Sequence, residues 1–291
     1  MRTCLYVTSG FLGDILFGSS VAKRQKEEGQ FQVVSYYVGF PQVVPLLKRN
    51  PWIDDVTIAN VPSPFPIPPS GFFNAYDVVL KQPIHTFDIQ PALQDQIAAG
   101  ARKPNADFKV YTVPEYDETW ELRFKSVRAA GYKVLAVLSN WKEKSFLFTE
   151  EEYKRGIDVP YKGYGGSNRK IEWILEQLGK DFALVEVGVP LNVYQTMGRE
   201  NEFAEQASFI KQCDYFIGAE GGLANVAYGV GTKTILTSDF VHQLYGWNGV
   251  VRKVKDLKLG PRFYGKPGHI DLDPYLTDEQ VVAEIRRIVN G

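Results

Sequence analysis

Cysteine is scarce in this sequence: two of 291 residues, Cys4 and Cys213, each bordering an apolar, strand-like segment. Two such thiols argue against a disulfide framework and read as buried free thiols of a reducing compartment. Net charge is almost absent, at −1 from 33 basic and 34 acidic side chains, so no global field draws the chain to nucleic acid or to an anionic membrane. No apolar run approaches the roughly 20 residues that cross a bilayer. The opening MRTCLYVTSG runs straight into a strand without the regions of a cleavable leader, so a cytoplasmic location is expected.

Catalytic signatures are missing as well. There is no Gly-x-Ser-x-Gly elbow and no phosphate-binding Gly-x4-Gly-Lys-Ser/Thr loop. Gly10 to Gly13 falls short of a dinucleotide fingerprint, which leaves a nicotinamide enzyme as a weak alternative. The three histidines, His85, His242 and His269, are far apart and in no ligand spacing, so no metal site is expected. A lone histidine is more often a satisfied core or surface group than a catalytic one. His85, in Pro83-Ile84-His85-Thr86-Phe87-Asp88, is the one to test, as an acceptor contact.

What is present is alternation. Thr3 to Thr8 reads as a strand ended by Ser9-Gly10. Ile15 to Glu28 reads as a helix stopped by Gly29, with Leu12, Ile15, Leu16, Ser19 and Ala22 on its small-residue face. Strand patterns follow at 32–38, 56–59 and 77–80, with a helix over 42–49. The second half repeats this, with strands at 133–139, 182–187, 215–217 and 234–237 and helices at 169–178, 202–212 and 223–228. Thr277 and Gln280 form a capping box for a last helix with Val281, Val282, Ile285, Ile288 and Val289 as its buried stripe. Residues 142–167 fit neither period and read as an insertion. VPSPFPIPPSGFF, with five prolines from Pro62 to Pro69, is short of backbone donors and reads as a loop: a surface connection, or a lid or acceptor-side wall.

Strands alternating with helices in both halves imply an α/β protein of two doubly wound, Rossmann-like domains facing each other across a cleft. An acidic stretch at Pro114 to Glu121 marks the expected junction. Residues 1–125 and 126–275 are then the two domains, and 276–291 a C-terminal helix packing back across them. Ligands of such sheets bind outside the carboxyl ends of the strands, which places the site in the cleft.

Two stretches at strand ends carry chemistry. In Gly218-Ala219-Glu220-Gly221-Gly222 a strand hands over to a helix. The helix's first N–H groups and dipole suit a phosphate, and glycine lets a pyrophosphate approach the backbone. Glu220 would repel a phosphate and is assigned to sugar hydroxyls. The plain alternative is a tight turn and cap with no ligand. The second stretch is Ser9-Gly10-Phe11-Leu12-Gly13-Asp14. Asp14 is either an N-cap or a general base facing the cleft, where partial desolvation would raise a carboxylate's pKa and improve it as a base.

These stretches resemble the heptosyltransferase-like glycosyltransferases, family 9, which use the two-domain GT-B fold. Gly13-Asp14 opens the first helix, Leu46-Leu47-Lys48-Arg49-Asn50-Pro51-Trp52-Ile53-Asp54-Asp55-Val56 answers the family's "L…NP.ID.V", and Asp214 through Thr232 answers its late "D…(V/I)G.DTG..H.AAALGT". The resemblance covers about the first 60 residues and residues 200–240. It implies inverting, metal-independent transfer of a sugar from a nucleoside-diphosphate sugar to a hydroxyl, with no cofactor beyond that co-substrate. Residues 1–125 would then be the acceptor side and 126–275 the donor side. Asp14 would be the base, and Glu220, Gly221, Gly222, Leu223 and Asn225 the donor contacts. Glu220-Gly221-Gly222 replaces the family's Asp-Thr-Gly, and Asn225 its His, so the resemblance does not fix a heptose as the donor sugar. The basic residue that contacts donor phosphates corresponds to one of Lys142, Lys144, Arg169 and Lys170.

One local charge run remains. Arg252 to Lys266 holds six basic residues against Asp256, with Phe263 and Tyr264 among them. It is a solvated face, or a contact for a polyanionic acceptor in which Lys253 and Lys255 take part. Gly13, His85, Lys253 and Lys255 are the acceptor-side candidates. The acceptor is then a saccharide of lipopolysaccharide type, or a polyanion such as hydroxymethylated DNA. Two other classes stay open: a nucleotide-sugar epimerase, which needs paired acid and base groups and for which the sequence offers no convincing histidine–carboxylate set, and a non-catalytic nucleotide-sugar binder.

Overall fold

The computed structural model describes residues 1–10, 12–85, 91–105, 108–138, 159–160, 171–188, 202–218, 221–236, 243–245, 250–253, 268–272 and 276–291. The first half is a four-stranded, wholly parallel sheet of β1 (Thr3–Val7), β2 (Val33–Val38), β3 (Asp55–Ile58) and β4 (Val78–Lys81), in the order β3-β2-β1-β4. The central strands β1 and β2 are almost wholly buried, as continuous apolar runs in parallel sheets are. The second half is a five-stranded parallel sheet, β12-β9-β8-β5-β7, built from β5 (Val134–Leu138), β7 (Ala183–Val187), β8 (Tyr215–Gly218), β9 (Lys233–Leu236) and β12 (His269–Asp271). A small antiparallel sheet joins β10 (Gln243–Tyr245), β11 (Val250–Lys253) and β6 (Val159–Pro160). The two parallel sheets match the architecture expected of the alternation. The antiparallel sheet and β12 are additions to it.

The first expected helix is two helices, α1 (Leu12–Gly18) and α2 (Ser20–Glu27). Ser19 divides them: its hydroxyl and its N–H both donate to the Leu16 carbonyl, at 2.7 and 3.1 Å. A side chain that bonds back to its own helix competes with the ladder. Gly29, at φ 67°, ends α2. The helix expected over 42–49 is a 3-10 turn, Pro41–Val43, followed by α3 (Val44–Lys48). The acidic stretch taken as a junction is the first half of α5 (Pro114–Ala129), with Pro114 at its start and Glu115 and Asp117 in its first turn, where carboxylates complement the helix dipole. Trp120 and Phe124 of α5 meet Phe209 of α7 (Glu202–Lys211), so this helix packs with the second half.

The remaining helices are α4 (Pro91–Ala98), α6 (Ile171–Leu178), α8 (Gly222–Val230) and α9 (Asp278–Asn290). The capping box of α9 is formed in both directions and its five-residue stripe is buried. That stripe packs with Leu135, Val137, Ile174, Leu178 and Ile217, and Tyr215 donates its hydroxyl to Ile288. The stripe of α9 is thus buried on the second sheet. Cys4 and Cys213 are buried free thiols, and burial pushes the Cys4 thiol up to about 12 and Cys213 upward too. No helix among the described residues is long and apolar enough to cross a membrane.

One apolar core runs through both halves. Phe108 is its pivot, 4.6 Å between ring centroids from Phe17 of α1 and stacked at 5.2 Å on Tyr228 of α8. Two residues on, Val110 donates its N–H to the Gly229 carbonyl at 2.8 Å. The chain crossing between the halves therefore clamps α1 to α8, which sets the site.

Candidate active site

At the carboxyl end of β1 the chain turns through Gly10, at φ 85°, and donates the Gly10 N–H to the Pro64 carbonyl at 2.7 Å. The proline-rich loop is thereby tied to the strand end as a wall, with Val61, Phe65 and Ile67 exposed along it. A Cβ on Gly10 would lie 2.6 to 2.8 Å from Cβ, Cγ and Oδ2 of Asp14. Glycine is required there for both backbone and space. Asp14 stands in the first turn of α1, inside the helix rather than at its cap, with its side chain 30% exposed.

Behind Asp14 lies a network across three segments. His85 Nδ1 is 3.1 Å from Asp14 Oδ1, and His85 Nε2 is 2.8 Å from Asp95 Oδ1. The His85 side chain is 4% exposed and Asp95 is fully buried. Gln82 orders the rest. Its Oε1 accepts the Ser9 N–H at 2.9 Å, which fixes the amide so that Nε2 donates to the Asp14 carbonyl at 2.7 Å and to Asp95 Oδ2 at 3.0 Å. Burial alone would lower the His85 pKa, but the hydrogen bonds and charges of Asp14 and Asp95 overcome it and raise it to about 9. Burial pushes Asp95 upward, against the hydrogen bonds it receives. With its pKa near 9 the imidazole is protonated at neutral pH.

The opposite wall is backbone. Gly218 ends β8 against Leu138, and a Cβ there would come within 2.5 Å of Leu138 Cβ. Gly221 takes φ 155° and ψ −168°, a region used almost only by glycine, and α8 begins at Gly222 with no side-chain cap. Uncapped N–H groups and the positive end of the helix dipole suit an anion. Gly222 meets α1 directly: a Cβ on it would lie 3.6 Å from the Gly13 nitrogen, and one on Gly13 would lie 3.1 Å from Gly222 Cα and overlap the Asn225 amide. The amino ends of α1 and α8 are thus in contact, with no open gap at that point.

The structure brings together Asp14, Gly13, His85, Gly221, Gly222, Leu223 and Asn225. Leu223 and Asn225 are buried, and the Asn225 Oδ1 has no hydrogen-bond partner among the described residues. His85, expected as an acceptor contact, has both ring nitrogens engaged by carboxyl groups and its side chain buried. Glu220, Lys142, Lys144, Arg169, Lys170 and Lys255 lie outside the described residues, and of Lys253 only the backbone, paired with Gln243, is described. Asp95 and Gln82 complete this network, and the sequence reading named neither. The available signal was α4 itself, whose buried positions Ala92, Asp95, Gln96 and Ala99 fall at i, i+3, i+4 and i+7 with two polar groups among them.

No family model and no curated protein matches the sequence. Solved structures do match the fold. The glycosyl transferase family 9 protein of Veillonella parvula is 11% identical, with 99% of this chain and 97% of that one covered at a TM-score of 0.62. The ADP-heptose lipopolysaccharide heptosyltransferase II of Escherichia coli is 11% identical, with 100% and 99% covered at 0.55. The Escherichia coli heptosyltransferase WaaC with ADP is 11% identical, with 99% and 98% covered at 0.50. Identity at this level speaks for fold alone, and what it says is that this chain has the heptosyltransferase-like fold of glycosyltransferase family 9.

Proposed function

We propose that the chain is an inverting glycosyltransferase that moves a sugar from a nucleoside-diphosphate sugar to an acceptor hydroxyl, with Asp14 as general base and no metal ion. The observation that carries this is a partly exposed carboxylate, Asp14, next in the chain to Gly13, which packs against the amino end of α8 where no side chain caps the helix. In the reaction the acceptor oxygen attacks the anomeric carbon, its proton passes to Asp14, and the bond to the diphosphate breaks with its electron pair. One displacement with one base inverts the centre. The departing charge is met by the N–H groups at Gly221 and Gly222 and by a basic residue of the second half. The likeness in fold to a heptosyltransferase crystallised with ADP fits this assignment. The acceptor, a saccharide or a polyanion, enters on the first-domain side beneath the wall of residues 60–70.

A nucleotide-sugar epimerase is the second reading, and one observation favours it: the structure holds the histidine–carboxylate set that the sequence did not reveal. Within that set only Asp14 is accessible, whereas an epimerase needs two groups that reach the sugar, so the transferase reading is preferred. Thermal-shift measurements with ADP, UDP, GDP and CDP test the donor site, since a ligand at 100 times its Kd adds about 2.7 kcal/mol. Stabilisation by at least one is expected, and silence with all four removes the assignment. Incubation with the sugar nucleotide alone then separates the classes: an isomerised sugar without acceptor would establish the epimerase. A rate unchanged by EDTA is expected of the metal-free mechanism.

A further inference from the structure

We propose that His85, braced by Asp95, is a positioning residue that presents its Nδ1–H to Asp14 and fixes the orientation of the base. This rests on the glycosyltransferase reading above. The Ser9 N–H can only donate. Its acceptor is therefore the Gln82 oxygen, and the Gln82 nitrogen donates both its protons, to the Asp14 carbonyl and to Asp95 Oδ2. Asp95 Oδ2 is thus an acceptor, and Asp95 Oδ1 receives the Nε2–H of His85. Both ring nitrogens thus face carboxyl oxygens, and the doubly protonated ring that gives Nε2–H to Asp95 also gives Nδ1–H to Asp14 Oδ1.

The surroundings hold this arrangement in place. Phe17, on the same helix as Asp14, meets the imidazole edge-on at 6.0 Å. The ring is 4% exposed and cannot swing into solvent without leaving a buried carboxylate uncompensated. The titratable groups that face the pair are Asp14 on α1, Asp95 on α4, and Tyr6 and Tyr36 on β1 and β2, which sense Asp95. Both phenols are fully buried and pushed well above their ordinary range, so they stay neutral and leave the imidazole and the two carboxyl groups as the titrating members of the network. With Asp14 Oδ1 held by His85 and Oδ2 lying over Gly10, the carboxylate has one seat. A base held in one orientation avoids reorganisation in the transition state, which is where positioning shows in kcat rather than KM.

The test has two arms. In the first, nitrogen-15 NMR of the histidine rings follows the wild type from about pH 6 to about pH 10, with His85→Gln to identify the His85 signals among the three histidines. His85 is expected to titrate near 9 rather than at 6.5, and Asp95→Asn is expected to lower that midpoint by about one unit or more. An ordinary midpoint in the wild type, or one that Asp95→Asn does not move, overturns the proposal. In the second arm, release of nucleoside diphosphate from the sugar nucleotide is measured. His85→Gln is expected to lower kcat about 10²-fold with the donor KM unchanged, and to lose an alkaline limb near 9 that the wild type shows and Asp95→Asn shifts downward. Full kcat in His85→Gln overturns the positioning role while Asp14→Asn still reports on the base. Absence of turnover by the wild type with every sugar nucleotide overturns the transferase reading and the proposal with it.

Discussion

At the amino end of α1 four side chains, Asp14, His85, Asp95 and Gln82, hold one another, whereas at the amino end of α8 the chain presents glycine backbone and no side-chain cap. Both ends face the same place and are built from different materials. The first wall acts through charge and proton position, so it is sensitive to pH and to isosteric changes that alter hydrogen bonding. The second acts through close approach and a dipole, so it is sensitive to volume. Substitutions that respect shape should therefore injure the first wall, and substitutions that respect charge should injure the second.

The largest expected effect follows from the first half of that statement. Asp14→Asn keeps the shape and removes the proposed base, and kcat should fall about 10²- to 10⁴-fold. The thermal shift given by the nucleoside diphosphate should survive, because the proposed site of that ligand is on the other wall. Loss of the shift together with the rate would mean that the two walls are not separable.

The pH dependence of stability comes next. The folded pKa of His85 lies near 9, above its ordinary 6.5, so the protonated ring contributes stability that is fully present below 6.5 and is lost as pH rises through about 9. An interval of that size corresponds to on the order of 3 kcal/mol for a group this buried. Asp95, also raised, works in the same direction as it ionises. Urea unfolding midpoints at about pH 6.5 and about pH 9.5 should separate in the wild type and draw together in His85→Gln. Gly10→Ala should cost about 2 kcal/mol or more, because φ 85° is strained for any side chain and the new Cβ lands on Asp14. Its kcat should fall with that of Asp14→Asn, which a purely structural turn would not require.

Much of this fold was legible because parallel strands buried on both faces read as unbroken apolar runs, as TCLYV and VLAVL do. The box at Thr277 and Gln280 was legible because capping is a local matter of four residues. Helix α4 was not, since its buried face is Ala92, Asp95, Gln96 and Ala99 and shows no apolar stripe. The acidic first turn of α5 read as a domain junction, although carboxylates there also favour a helix start. Strands β10 and β12, three residues each, are too short to show a period. At the site, Asp14 and Gly221-Gly222 announced themselves as strand-end residues, while the partners of His85 did not. Asp14 lies 71 positions away from it, and only packing makes them neighbours.

The smallest expected effect separates two glycines in one contact. Gly13 and Gly222 face each other where α1 crosses α8, yet their surroundings differ. A methyl on Gly222 meets atoms at 3.6 and 4.0 Å, ordinary contact distances, so Gly222→Ala should change stability by no more than about 0.5 kcal/mol. A methyl on Gly13 must displace the buried Asn225 amide and push back the Gly222 backbone, so Gly13→Ala should cost about 1 to 3 kcal/mol. The functional order need not follow. Gly222→Ala places its methyl beside the first N–H groups of α8, where a diphosphate needs to come close, and should weaken nucleotide binding while leaving the unfolding midpoint nearly unchanged. Comparing the two variants by denaturation and by nucleotide titration tests whether the second wall binds through its backbone. Undiminished nucleotide affinity in Gly222→Ala would move the phosphate site away from the amino end of α8.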